Sequence, residues 1–126
     1  MGLDMYAYRT SVKLSKSVDF ANEIEWGTAT EFAYWRKHPN LHGWMENLYY
    51  KKGGESEFNC VPVELVAEDL DRLEKDIKAG NLPHTGGFFF GNSDGSNEET
   101  KKDLEFVNTA RQAILEGDRV FYDSWW

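Results

Sequence analysis

The stretch TATEFAYWRKHPNLHGW, residues 28–44, decides how the chain is read. Thr28 followed by Glu31 has the spacing of a capping box, in which a hydroxyl and a carboxylate satisfy the first free N–H groups of a helix. That pair predicts a helix running through Phe32, Trp35 and Arg36. Pro39 then either kinks it or opens a second helix as its first residue. His38, just before the proline, is pushed toward extended backbone. Leu41, Trp44, Met45 and Leu48 carry on a helical apolar face, and KKGGES at 51–56 ends the element.

Working outward, LDMYAYR at 3–9 alternates. Leu3, Met5 and Ala7 point one way, and Asp4, Tyr6 and Tyr8 the other, which predicts a strand with a mixed second face. Residues 10–22 read as a loop and 23–26 as a short strand or turn. FNCV at 58–61 reads as extended. Pro62 then opens a helix in which Val63, Val66, Leu70, Leu73 and Ile77 form one apolar stripe. On its other face Glu68–Arg72, Asp71–Lys75 and Glu74–Lys78 are acid-to-base pairs one turn apart, each worth about 0.3 kcal/mol. Gly80 is its C-cap. GFFFG at 87–91 reads as a short buried strand and NSDGS at 92–96 as a turn. Ser96 with Glu99 opens a helix to about Leu115, stopped by Gly117. RVFYDSWW at 119–126 reads as a terminal strand, and pairing with the first strand would tie both chain ends down. The expected fold is α+β, a small, mainly antiparallel sheet with about three helices packed on one face, in a single domain over residues 1–126.

The composition narrows the function. The chain has 126 residues, 15% of them aromatic, and a net charge of −8. Residues 1–54 carry six acids and seven bases, whereas residues 55–126 carry sixteen acids and seven bases. So acidic a chain is unsuited to coating nucleic acid, and its acidic half suits a basic partner. Cys60 is the only cysteine, which excludes an intramolecular disulfide and fits a reducing compartment. It reads as a small buried residue. No apolar run approaches the ~20 residues of a membrane span, and the N-terminus has no signal-peptide pattern. A cytoplasmic protein is expected.

No motif marks a catalytic residue, a metal or a cofactor. His38 and His42 have the spacing of two ligands on a helix, but Pro39 lies between them and no third ligand is near. GNSDGSNEE lacks the glycine and final glutamate placement of a calcium loop. GGFFFG flanks a strand and is no phosphate cradle. Arg111 falls among Leu104, Val107, Ile114 and Leu115 on a helical wheel. It either takes a structural role, snorkelling to the edge or pairing with an acid from another element, or points into a pocket to grip a carboxylate or phosphate. Tyr34, Arg36, Lys37 and His42 form the candidate ligand or partner site, with Trp35 and Trp44 as walls or core.

Taken together, MGLDMY at 1–6, YWRK with His42 and Trp44, GFFFG, and the terminal FYDSWW resemble a family of small bacteriophage and bacterial proteins. The landmarks span the whole chain. The resemblance implies a phage-type accessory protein and carries no activity over. Some members of that family are labelled phosphoglycerate kinase. Such a kinase is a far larger two-domain enzyme, and no nucleotide-binding motif is present here. Three expectations follow from residues and resemblance together. The first is a non-enzymatic protein docking on a host or viral protein. The second is a binder or modifier of a small anionic, phosphorylated metabolite. The third is an acidic DNA mimic.

Overall fold

The computed structural model describes residues 2–85 and 97–126. Four strands form one antiparallel sheet in the order β2-β1-β4-β3. They are β1 (Asp4–Thr10), β2 (Thr30–Arg36), β3 (Val63–Leu65) and β4 (Arg119–Trp125). Three α-helices occur among the described residues: α1 (Pro39–Lys51), α2 (Ala67–Ala79) and α3 (Asn97–Leu115). The architecture is α+β, and the two ends of the chain lie side by side as β1 and β4. GFFFG and the 92–96 turn, with the Ser96 cap, lie outside the described residues.

The predicted helix at 28–36 is a strand. Thr28 does not cap it, because its hydroxyl donates to the Glu25 carbonyl (2.7 Å) and closes a 3-10 turn over Trp26–Thr28. A nine-residue helix has little stability of its own. Thr30, Phe32, Tyr34 and Trp35 favour extended backbone, and β1 offers them a ladder. Lys37 adopts a left-handed φ of 63° and donates its N–H to the Leu3 carbonyl (2.9 Å), which turns the chain. His38 is outside the helical region (φ −113°, ψ 72°), and Pro39 is the first residue of α1. Of the two roles open to Pro39, the fold uses helix initiation.

Two further boundaries move. The extended run expected at 58–61 is a loop: Phe58 is buried in the core, and Cys60 has a left-handed φ of 61° and is exposed, not buried. Its N–H donates to the Ser124 carbonyl (2.9 Å). The following helix starts at Ala67 rather than Pro62, because Val63 and Leu65 pair with Tyr122 and Val120. Asp69 then caps α2 by accepting the Val66 N–H (2.9 Å). Gly80 does end α2, with a left-handed φ of 70°. Of the three expected charge pairs on α2, Glu74–Lys78 closes at 3.5 Å; Arg72 turns to Asp69 and Asp71 to Arg111.

The sheet separates two apolar clusters. Met5, Ala7, Trp35, Val63, Leu65, Val120 and Tyr122 face the helices and merge with Leu41, Met45, Leu48, Leu70, Leu73, Phe106 and Val107. On the opposite face Phe121 gathers Leu14, Phe20 and Ile24 from the long connection between β1 and β2. The β3 edge is closed by the same connection, through a Val18–Val63 bridge and a Glu64 N–H to Ser17 carbonyl bond (2.9 Å).

Candidate functional site: the outer face of the sheet

The strand register lays out the face away from the helices. Directly opposed residues share a face, so β2, β1 and β4 build three rows: Arg36–Asp4–Trp125, Tyr34–Tyr6–Asp123 and Glu31–Tyr8–Phe121. A bulge in β2 opposite Ala7 and Tyr8 brings Glu31 into the third row. Trp26 covers that row, with its ring 5.3 Å from Tyr8 and 6.0 Å from Phe121. The first two rows are partly open: Asp4, Tyr6 and Asp123 are half-buried, and the other three are exposed. Tyr34 is 41% exposed and Trp125 64%.

The open half is tied together from within. The Tyr34 hydroxyl donates to Asp4 (2.7 Å), and Arg36 lies 4.0 Å from the same oxygen. The Tyr6 ring packs against Tyr34 (5.3 Å between centroids) and stacks toward Tyr8 (6.1 Å). Asp123 accepts the N–H of Ser124 (2.8 Å), and no cation pairs with it among the described residues. Burial raises its carboxyl to about 6, partly offset by that hydrogen bond. The Tyr6 phenol is raised by burial and then by Asp4, Glu31 and Asp123. Burial, Glu31 and Asp123 push Tyr8 up to about 12. The face is therefore aromatic and electronegative.

The stretch 34–44 is divided by the sheet. Tyr34 and Arg36 alternate onto the outer face, whereas Trp35 points to the helices and donates its indole N–H to Asp103 (3.2 Å). His42, on α1, is wholly buried, with Nδ1 2.6 Å from the Tyr122 hydroxyl, and burial lowers it to about 4. One small anion cannot touch Tyr34, Arg36 and His42, because the sheet lies between them. Arg111 spends its guanidinium on α2, 2.7 Å from Asp71 and 3.0 Å from Glu74. Of the two roles open to it, this is the bridge within the chain.

Lys37 lies at a cleft of about 280 Å³ beside the β2–α1 turn, together with Trp35, Arg36, His38, Glu99 and Lys102. On its floor His38 is buried with Nε2 2.8 Å from Asp103 and Nδ1 3.7 Å from Glu99. Lys102 donates to the Tyr34 carbonyl (2.6 Å) and lies over the Trp35 ring at 5.7 Å. Asp103 thus fastens both Trp35 and His38 to α3. His38 and His42 have separate partners on α3 and β4, and no group of three or more metal-binding side chains occurs among the described residues.

The residues that matter on the outer face are mostly ones that sequence reasoning passed over: Asp4, Tyr6, Asp123 and Trp125. Their signal was the alternation of the first and last strands, which put each set on one side. Nothing local announced that the two sets lie next to each other and next to Tyr34. No helix among the described residues is long and apolar enough to cross a membrane. No family model matches the chain, and no curated protein or solved structure is significantly similar to it.

Proposed function

We propose that the protein is a non-enzymatic interaction protein that docks on a host or viral protein through the open half of its outer sheet face. The observation that carries this reading is the row pair Arg36–Asp4–Trp125 and Tyr34–Tyr6–Asp123, an aromatic surface partly open to solvent, while Trp26 covers the neighbouring row. Aromatic residues and arginine dominate binding energy at protein interfaces. The resemblance to phage and bacterial accessory proteins supports a partner of host or viral origin.

A second reading places a small phosphorylated anion in the cleft beside Lys37, favoured by the cations Arg36, Lys37 and Lys102 on its walls. Glu98 and Glu99 on the same walls weaken it. The DNA-mimic reading has less support. Asp69, Asp71 and Glu74, which would head a phosphate-like row, are paired with Lys52, Arg72, Arg111 and Lys78.

The test is capture from host lysate by tagged wild type beside a Tyr34→Ala, Trp125→Ala double variant checked to be folded. One host protein retained by wild type and lost by the variant is the expected result. Equal retention by both moves the interface off this face. If nothing is retained but a phosphorylated metabolite raises the melting temperature of wild type and not of Lys37→Ala, Lys102→Ala, the cleft reading replaces docking.

A further inference from the structure

Resting on the docking reading above, we propose that the open half of the outer face receives an arginine side chain of the partner protein, stacked on the Tyr6–Tyr34 pair and ion-paired with Asp123. Charge complementarity selects the occupant. The three rows carry the acids Asp4, Glu31 and Asp123 against one base, Arg36. Arg36 sits in the outermost row, is 60% exposed, and leans on Asp4. It leaves Asp123 alone on the far side of Tyr6.

Asp123 is the centre of the site. It lies directly across from Tyr6 in the ladder, flanked along its own strand by Phe121 and Trp125. A carboxylate half-buried among rings without a cation is held in its costly form. The carboxyl's rise to about 6 is the same fact seen from the proton's side. A guanidinium arriving over Tyr6 supplies the missing charge. The rings add to this attraction: the face of a tyrosine ring is negative, Tyr6 stands in the field of Asp4, Glu31 and Asp123, and Tyr34 in that of Asp4.

Arginine fits better than lysine for three reasons. Its planar fork lies flat on an aromatic ring. It is less strongly hydrated than an ammonium. Its paired N–H donors match a carboxylate. The chain's net charge of −8 steers basic surfaces toward it before contact.

The experiment is an amide chemical-shift titration of the full chain with a hexa-arginine peptide at low salt, repeated with hexalysine and with an Asp123→Asn variant. Asparagine keeps the acceptor for the Ser124 N–H and removes the charge, so the variant is expected to fold at least as well as wild type. The expected result is shifts concentrated on residues 4–8, 31–36 and 121–125, tighter binding of hexa-arginine than hexalysine, and roughly tenfold weaker binding by Asp123→Asn. Shifts concentrated on the acids of α2, equal affinity for both peptides, or unchanged affinity of the variant each overturn the arginine site. The two readings fail separately. A lysate partner lost on Tyr34→Ala, Trp125→Ala with no peptide binding on the face removes the arginine and leaves docking. Peptide binding on the face with no lysate partner leaves the arginine site and removes docking.

Discussion

Asp123, half-buried, and His42, wholly buried, show how two titratable groups pull stability in opposite directions. Asp123 has its carboxyl raised from 3.8 to about 6. Between those values the folded state holds more protons than the unfolded one, so stability falls as pH rises through the window and stays lower above it. Asp123→Asn is therefore expected to unfold at higher denaturant than wild type at pH 7. The gain is up to about 2 kcal/mol after discounting for partial exposure, and the two curves converge below pH 4. His42 is lowered from 6.5 to about 4 by burial. There the unfolded state holds more protons, so stability is fully present above about 6.5 and is lost as pH falls toward 4. Urea melts of His42→Gln across that range are expected to lose this acid sensitivity, although the variant is less stable at pH 7.

At the scale of elements, side chains on α3 fasten the fold. Asp103 accepts the Trp35 indole N–H from β2 and lies against His38 from the turn before α1. Asp103→Ala leaves the buried Trp35 indole N–H without its acceptor and removes the carboxylate beside His38, and is expected to destabilise by about 3 kcal/mol in chemical denaturation. Arg111 makes a different kind of contact. Its link to Asp71 and Glu74 lies at the surface, so Arg111→Ala is expected to cost about 1 kcal/mol or less and to leave lysate capture unchanged. A loss of capture in that variant, with the fold intact, would restore Arg111 as a binding residue. The two edges of the sheet are also managed differently. The connection from β1 bonds to β3, while β2 carries a bulge and a lysine, Lys102, on its Tyr34 carbonyl. Both devices discourage a further strand from adding there.

For the whole molecule, local chemistry determined a great deal. The alternation of 3–9 and 119–126, the stripe Leu70, Leu73 and Ile77, the Gly80 cap, and the α+β class all follow from period, propensity and punctuation, which act over a few residues. Proline at 39 offered two outcomes, and only the strand before it selected one. Residues 28–36 form a strand against their local signal because a capping box is a weak local preference, about 1 kcal/mol, and a ladder with β1 together with the burial of Trp35 outweighs it. Cys60 is exposed despite its apolar neighbours, which say nothing of a left-handed turn. The candidate site fared similarly. Tyr34 and Arg36 were legible as chemistry-bearing residues, but one step of strand alternation sends Trp35 to the core, and the sheet sends His42 to its opposite side. The outer face joins Asp4 and Tyr6 to Asp123 and Trp125 from the far end of the chain. Sequence alone determined which residues share a side of the first and last strands, because that is geometry within the strand. Which strands lie side by side, and so which charges and rings meet, was decided by the tertiary structure, because pairing between distant segments depends on burying one common core.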